Sequence, residues 1–165
     1  MNIVLIGFMG TGKSSVGRLL SKKLNYDYVD IDSLIVLKEK KEISEIFSEK
    51  GEEYFRKIES AMVKDVSAKD RQVISTGGGV VEKEENIKFL KKSGTVICLT
   101  ATPEIIYERV KQNNSRPLLQ GDNPLEKIKN LMQKREVFYK KADFMIDTSS
   151  ISVEKVVEEI YKKIV

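Results

Sequence analysis

Residues 7 to 14 read GFMGTGKS, which matches the Walker A pattern of phosphate-binding loops. An apolar run, NIVLI, precedes the motif, and a helical pattern, SSVGRLLSKKL, overlaps its end and follows it. A strand, a glycine-rich turn and a helix in this order can bind phosphate, because the turn directs backbone N–H groups inward and the helix adds its positive end. The motif therefore predicts a nucleotide-binding α/β fold.

The individual residues of this loop have expected tasks. Glycines without side chains let successive N–H groups surround phosphate oxygens. Lys13 is expected to reach the β- and γ-phosphates, and the Ser14 hydroxyl to bind Mg²⁺. The nucleotide-binding residues predicted from the motif are consecutive: Gly10, Thr11, Gly12, Lys13, Ser14 and Ser15.

Five short apolar runs alternate with amphipathic stretches along the chain. The predicted strands are residues 2–6, 27–29, 72–75, 95–100 and 144–146, and the predicted helices are residues 13–24, 33–40, 43–49, 52–68, 83–91, 103–111, 124–140 and 153–164. Helices that cross over between strands imply a parallel sheet covered on both faces. With 165 residues, 41% of them apolar, and no repeat or linker, we expect a single domain over residues 1–165.

The sequence contains capping signals for the starts of two helices and one long stretch that is typical of a loop. Asn123 precedes Pro124, and Glu126 follows at the third helical position, so we expect a capping box there. Ser152 is expected to cap the last helix. Residues 112–122, QNNSRPLLQGD, have no helical period and form the longest predicted loop, which suggests a lid.

Composition excludes several classes of protein and chemistry. The chain has no histidine, so imidazole catalysis and histidine-ligated metals are excluded. The net charge of +4 comes from lysines scattered among glutamates, which favours solvated helix faces over a nucleic-acid surface. Cys98 lies in an apolar run and is expected to be a buried thiol. The N-terminus resembles neither a signal peptide nor a membrane span, so we expect a cytoplasmic protein without a membrane partner.

Within the nucleotide-binding proteins, the missing motifs favour a kinase. The guanine-binding N-K-x-D and switch D-x-x-G patterns of signalling GTPases are absent. A motor ATPase would usually place an acid directly after an apolar strand, but here VIS is followed by TGGG. A small-molecule kinase remains, and such an enzyme needs a second pocket for its acceptor.

Three clusters could build that second pocket. Asp30 and Asp32 follow the second predicted strand and suit a Mg²⁺ shell or an acceptor hydroxyl, although Asp32 could equally be a helix cap. Arg56 adjoins a predicted buried face that includes Phe55, although by itself it is more typical of a surface ion pair. The glycines in STGGGVV follow the third strand, at the sheet edge where ligands of α/β proteins bind.

The ordered set of motifs resembles the shikimate kinase family over nearly the whole chain. The set comprises GFMGTGKS, the DID pair, IFSEKGEEYFRKIE, STGGGVV, SRPLL and KREVFYKKAD. The resemblance implies a three-layer, nucleoside monophosphate kinase-like P-loop fold with five parallel strands in the order 2-3-1-4-5 and a lid. It also implies transfer of the γ-phosphoryl group of MgATP to the 3-hydroxyl of shikimate.

The same resemblance implies roles for individual residues. Asp32 would hold the hydroxyl, either as a group that orients it or as the base that deprotonates it. Asp30 would lie near the magnesium, and Arg116 would reach the phosphates from the lid. The implied catalytic residues are Lys13, Asp32 and Arg116. The implied acceptor-binding region is about residues 32–60. The implied acceptor residues are Asp32, Phe47, Phe55, Arg56, Gly77, Gly78, Gly79 and Arg135, with the two arginines on the carboxylate and the two phenylalanines against the ring. Arg109 would lie by the adenine.

Two departures and two alternatives accompany this resemblance. Lys57 stands where many relatives have an arginine, and TSSISVE lacks the basic and proline residues that some relatives place beside adenine. A gluconate kinase of the same fold is the main alternative, and a nucleotide-binding module without an acceptor is the second. Arg56, Arg135 and Asp32 favour an acid that bears a diol. We expect a monomer that binds ATP and shikimate.

Overall fold

The computed structural model describes residues 1–111 and 121–165. Its strands are β1 (Asn2–Ile6), β2 (Asp27–Asp30), β3 (Gln72–Ser75), β4 (Gly94–Thr100) and β5 (Phe144–Asp147). They form one parallel sheet in the order β2-β3-β1-β4-β5. The central strand β1 places Val4 between Ile74 of β3 and Val96 of β4. The predicted fold class and strand order are confirmed.

Helices cover both faces of the sheet. They are α1 (Lys13–Leu24), α2 (Ile31–Glu39), α3 (Ile43–Ser67), α4 (Glu84–Ser93), α5 (Pro103–Val110), α6 (Pro124–Tyr139) and α7 (Val153–Ile164), with a 3-10 helix at Val80–Glu82. On one face, Leu5 packs in a buried cluster with Leu20 of α1 and Ile160 of α7. On the other face, Val4 belongs to the larger cluster formed with α2–α6. The alternation of side chains along β1 thus joins two cores.

The start of α2 differs from the sequence prediction. The helix begins at Ile31, directly after β2, and its N-cap is Asp30, whose Oδ1 accepts a hydrogen bond from the Ser33 N–H at 3.1 Å. The alternative that Asp32 is the cap is therefore wrong. Asp30 has the extended backbone that a cap requires, so Asp32 lies in the first turn of the helix.

The other two predicted caps have opposite outcomes. Ser152 caps α7, since its Oγ accepts from the Lys155 N–H at 3.3 Å. The capping box predicted at Asn123 is wrong, because Asn123 has φ 56° and its side chain caps nothing. Asparagine tolerates this left-handed conformation, whereas a capping box needs an extended residue. Pro124 does occupy the first turn, as predicted.

Helix α3 contains a break that the sequence indicates as a boundary between two helices. At Gly51 the backbone has φ 82° and ψ 169°, a region open essentially only to glycine. The two predicted helices, residues 43–49 and 52–68, correspond to the segments on either side. The break changes the direction of the chain between Phe47 and Phe55, whose rings lie 4.8 Å apart.

The carboxyl ends of the central strands bring three separated segments together. The phosphate-binding loop follows β1, Asp30 ends β2, and the TGGG turn follows β3. Neighbouring parallel strands end at the same edge, where ligands of open α/β sheets bind. Among the described residues, no helix is both long and apolar enough to cross a membrane.

Candidate active site

The phosphate-binding loop has the backbone that its glycines predict. Gly7, Gly10 and Gly12 have φ of 142°, 76° and 97°, conformations that side chains disfavour. The Lys13 ammonium lies across the loop and donates to the carbonyls of Gly7 at 2.7 Å and Phe8 at 2.9 Å. A rigid turn therefore holds one cation beside a row of backbone N–H groups.

The N-terminus of α1 is left open to an anion. Its N-cap, Gly12, has no side chain to accept from the first helical N–H groups, and the first turn contains no acidic residue. The first N–H groups of a helix and the positive end of the helix dipole both attract phosphate. This end of α1 faces a cavity of about 300 Å³.

That first cavity is lined by both glycine-rich loops, by Asp30 at the end of β2 and by Asp32 in the first turn of α2. Its walls include Met9, Gly10, Gly12, Lys13, Ser14, Ser15, Asp30, Asp32, Ser33, Thr76, Gly77 and Gly78. Within it the Ser14 hydroxyl lies 3.5 Å from Asp30 Oδ2, which also accepts from the Tyr28 hydroxyl at 3.3 Å. A hydroxyl and a carboxylate therefore meet beside the phosphate-binding loop.

A second cavity, of about 230 Å³, adjoins the first. It is lined by Met9, Asp32, Glu42, Ile43, Ser44, Phe47, Phe55, Arg56, Glu59, Gly77, Gly78, Gly79 and Arg135. Both cavities share Met9, Asp32, Gly77 and Gly78. All of the predicted acceptor residues line the second cavity, and the predicted loop residues except Thr11 line the first, so the two sets come to spaces that meet at Asp32. Thr11 is buried, and its hydroxyl donates to the Phe8 carbonyl at 2.8 Å. Phe55, which is buried, and Phe47, which is half-buried, both line the second cavity, and their contact with an acceptor ring stays a prediction.

The three glycines of the TGGG turn are needed for room and not for unusual backbone angles, since none has a positive φ. A Cβ at Gly77 would lie 3.0 Å from Asp32 Oδ1 and 3.1 Å from Glu59 Oε2. At Gly79 it would lie 2.6 Å from the Arg56 Cζ. A Cβ at Gly78 would meet an Arg135 nitrogen at 3.1 Å. Each glycine therefore makes space for a charged group of the second cavity.

Of the two arginines, Arg135 is buried and Arg56 is partly buried. Arg56 is 12% exposed and donates to Glu59 Oε1 at 2.9 Å, while Arg135 is 2% exposed and lies over the Phe8 ring at 5.7 Å. Burial acts to lower the pKa of the Arg56 guanidinium, but Glu59 and then Glu82 raise it by more. Arg56 thus forms the predicted ion pairs but is not a surface residue.

Glu59 is an acid of the site whose pKa is shifted by burial. Burial raises the pKa of its carboxyl to about 7, against the opposing effect of Arg56, and the nearby Asp32 raises it further. Its Oε2 accepts no hydrogen bond among the described residues. A carboxyl that titrates near neutral pH therefore lies between Arg56 and Asp32.

Tyr139 connects α6 to the second glycine loop. Its hydroxyl donates to the Gly78 carbonyl at 2.7 Å, and burial raises its pKa. Arg135 lies one helical turn earlier, so this hydrogen bond connects the part of α6 that carries this arginine to the TGGG turn. The sequence analysis did not single out Tyr139.

Arg109 and Arg116 have different outcomes. The Arg109 guanidinium donates to the Gly10 carbonyl at 3.0 Å and to the Thr148 carbonyl at 2.8 Å, which joins the phosphate-binding loop to the segment after β5. Its role beside adenine stays a prediction. Arg116 and most of the predicted lid, residues 112–122, lie outside the described residues, which resume at residue 121.

The sequence analysis also missed Glu59 and Glu82. Glu59 lies three residues after Arg56, a spacing that puts both on one face of a helix and could have indicated the pair. Glu82 follows the TGGG turn in the 3-10 helix, and no local pattern predicts that it approaches α3 and α6. Cys98 is buried as predicted, and burial raises its pKa to about 12.

The fold and the joined cavities define a P-loop kinase of small molecules. Comparisons with known proteins agree: the family described as shikimate kinase matches residues 9–165. A shikimate kinase of Thermodesulfovibrio yellowstonii is 57% identical over 98% of this chain and 94% of its own length. One of Geobacter metallireducens is 50% identical over 96% of this chain and 89% of its own.

Solved structures give the same result. Shikimate kinase from Acinetobacter baumannii in complex with shikimate matches with a TM-score of 0.96 and 34% identity, covering 99% of this chain and 92% of its own. Shikimate kinase from Aquifex aeolicus matches with a TM-score of 0.86 and 44% identity, covering 98% and 95%. The chain belongs to the shikimate kinase family, whose members are ATP-dependent phosphotransferases with an alcohol acceptor. The family and enzyme class predicted from the sequence are confirmed.

Proposed function

We propose that the chain transfers the γ-phosphoryl group of ATP to the 3-hydroxyl of shikimate, which yields shikimate 3-phosphate and ADP. The observation that carries the proposal is the pair of cavities that meet at Asp32. One has the chemistry for a polyphosphate, and the other is lined by the guanidinium groups of Arg56 and Arg135 and by apolar side chains. All of this lies within one domain over residues 1–165, and we propose that the protein acts in the cytoplasm as a monomer.

The donor occupies the first cavity. The loop N–H groups and the N-terminus of α1 hold the phosphates, and Lys13 exchanges its loop carbonyls for phosphate oxygens. Its charge then offsets the charge that builds up on the transferred group. Arg109, fixed to the loop and to Thr148, borders the adenine side.

Magnesium fits the residues beside the loop. Mg²⁺ binds through one or two protein oxygens together with phosphates and water, and Ser14 Oγ and Asp30 Oδ2 supply such a pair. The described residues contain no group of three or more acidic, histidine or cysteine side chains that could hold a metal ion by themselves. When bound, the ion neutralises phosphate charge and helps to orient the γ-phosphoryl group.

The acceptor occupies the second cavity. Its carboxylate pairs with Arg56 and Arg135, which can each form charge-assisted hydrogen bonds in a site shielded from water. Phe47 and Phe55 cover the ring, and backbone groups of the TGGG turn border its other side. Asp32, at the junction, accepts a hydrogen bond from the 3-hydroxyl, orients its oxygen toward the donor and takes its proton.

The test is ADP release by the purified protein with ATP, Mg²⁺ and one acceptor at a time: shikimate, quinate or gluconate. We expect acceptor-dependent ADP release with shikimate and much slower release with gluconate, which lacks the ring for the phenylalanine wall. Equal rates with gluconate would favour the alternative kinase. A rate of ADP release that is the same with each acceptor and without any acceptor would contradict the proposal.

A further inference from the structure

Glu82 lies between the two arginines of the second cavity. It ends the 3-10 helix Val80–Glu82 that follows the glycine turn, and its side chain is 20% exposed. Its Oε2 is 3.7 Å from an Arg56 nitrogen and 3.6 Å from an Arg135 nitrogen. Its Oε1 is 3.4 Å from Lys134 Nζ. One carboxylate therefore faces three cations, two of which line the acceptor cavity.

The contacts of Glu82 with the two arginines are electrostatic and not rigid hydrogen bonds. The nitrogen–oxygen distances of 3.6 Å and 3.7 Å are longer than those of charge-assisted hydrogen bonds, which are usually about 2.7–2.9 Å. Glu59, in contrast, holds Arg56 through a hydrogen bond of 2.9 Å. Around Arg135, Glu82 is the one ion-pair partner among the described residues. Its charge therefore matters more than its geometry.

We propose that Glu82 sets the anion affinity of this arginine pair and is a specificity-determining residue for the acceptor carboxylate. The inference rests on the proposed function, in which that carboxylate lies against Arg56 and Arg135. An arriving carboxylate shares both guanidinium groups with Glu82, so like-charge repulsion weakens its binding. Before the acceptor binds, Glu82 offsets the positive charge of Arg56 and Arg135. When the acceptor is bound, Glu82 limits the affinity for its carboxylate.

The substitution Glu82→Gln removes the negative charge of this side chain with little change in its shape. Glu82→Gln keeps the size of the side chain, while Arg56 stays bonded to Glu59 and Arg135 stays packed over Phe8. The variant should therefore attract the acceptor carboxylate more strongly. The Glu82 side chain is 20% exposed, so solvent partly screens its repulsion of the acceptor carboxylate. We therefore expect the acceptor KM of Glu82→Gln to fall about five- to tenfold, with kcat within about twofold of the parent.

The experiment measures KM and kcat for shikimate and for its methyl ester in the parent, in Glu82→Gln and in a matched control. The control is Glu52→Gln, because Glu52 also pairs with Arg56, at 3.4 Å, but is 56% exposed and makes no ion pair with Arg135. We expect the KM for the acid to fall only in Glu82→Gln. The KM for the uncharged ester should stay the same in all three proteins, because Glu82 acts on the carboxylate alone.

The outcomes separate this inference from the proposed function. Absence of shikimate-dependent turnover in the parent would overturn the proposed function and this inference with it. With parent turnover intact, an unchanged or higher KM for the acid in Glu82→Gln would overturn the inference alone. An equal fall in KM for acid and ester would also overturn it, because the effect would then be on the shape of the cavity. Circular dichroism and melting temperature verify that each variant is folded.

Discussion

Lys13 is a residue whose removal should affect chemistry and not folding. It is half-buried, lies over the loop and contributes its ammonium group to the first cavity. Lys13→Ala should therefore lower the rate of phosphoryl transfer by more than about tenfold, because a charge aimed at the transferred group is lost. The measurement is kcat from ADP release, with the melting temperature as the control for folding. A variant that keeps more than about a tenth of the parent rate would argue against the donor site.

Glu59 should make stability depend on pH near neutrality. Its folded pKa of about 7 lies above the ordinary value of 4.5, so the folded protein holds a proton that the unfolded chain releases. The stabilising effect of that proton is complete below about pH 4.5 and is lost as the pH rises through about 7. The shift corresponds to about 3 kcal/mol of unfolding free energy across this range.

Replacing Glu59 tests whether its carboxyl is the group that makes stability depend on pH. Urea denaturation of the parent and of Glu59→Gln between pH 4.5 and pH 8 should show a shallower fall of unfolding free energy in the variant. The slope is the useful quantity, because the substitution also removes an ion pair with Arg56. Glu52→Gln, an exposed neighbour, should keep the slope of the parent. Parallel curves for parent and Glu59→Gln would show that Glu59 titrates as an ordinary acid.

At the scale of elements, the TGGG turn and α3 fit each other through Gly79 and Arg56. A Cβ at Gly79 would lie 2.6 Å from the Arg56 Cζ, so Gly79→Ala must displace the guanidinium. We expect the acceptor KM to rise about tenfold or more, as for the loss of one charged hydrogen bond, while the ATP KM stays near the parent value. Steady-state kinetics with each substrate varied in turn measures both.

A double variant separates displacement of Arg56 from general damage to the turn. If Gly79→Ala acts by moving Arg56, then adding it to Arg56→Ala should cost little more, because the displaced side chain is already absent. Additive losses would instead mean that the methyl group disturbs the turn itself or the ligand. The comparison needs only acceptor KM values from the two single variants and the double variant.

Element boundaries show where sequence reasoning succeeds and where it does not. The strands and most helix ends follow from local periodicity, and Gly51 was a usable boundary because its backbone is available only to glycine. Asp30 and Asp32 could not be told apart as caps, since both are aspartates near the start of one helix. The choice depends on where β2 ends, which its pairing with β3 determines and no local pattern records.

At the scale of the whole molecule, the acceptor cavity is a product of chain topology. Arg56 comes from α3 and Arg135 from α6, and the sheet order brings both beside the turn after β3. The family resemblance identified both arginines, but spacing alone does not predict that Glu82 and Tyr139 join them. Such long-range contacts between different elements were the part of the site that the sequence did not predict. The loop after β1 was predictable because strand, turn and helix are contiguous.

Arg56 of α3 and Arg135 of α6 are proposed to bind the same acceptor carboxylate, and this arrangement can be tested by mutation. If both guanidinium groups bind the acceptor carboxylate, each contributes a charge-assisted hydrogen bond of roughly 1.5–3 kcal/mol. Arg56→Ala and Arg135→Ala should each weaken use of shikimate about ten- to hundredfold. Lysine should not restore either position fully, because it cannot present a planar fork to a carboxylate. Lys129→Ala serves as the control, since Lys129 is a half-exposed cation of α6 that pairs with Glu104 outside the cavity.

Crossing these variants with shikimate and its methyl ester isolates the charge contact from the rest of the site. The parent and Lys129→Ala should use the ester poorly, because the ester cannot form the charge-assisted hydrogen bonds that the carboxylate makes with the two arginines. The penalty for the ester should shrink in Arg56→Ala and in Arg135→Ala, because the contact it fails to make is already absent. ATP binding should stay near normal throughout, since the loop after β1 is unchanged. An ester penalty of the same size in parent and arginine variants would mean that neither arginine binds the carboxylate, and the assignment of the acceptor would lose its main physical support.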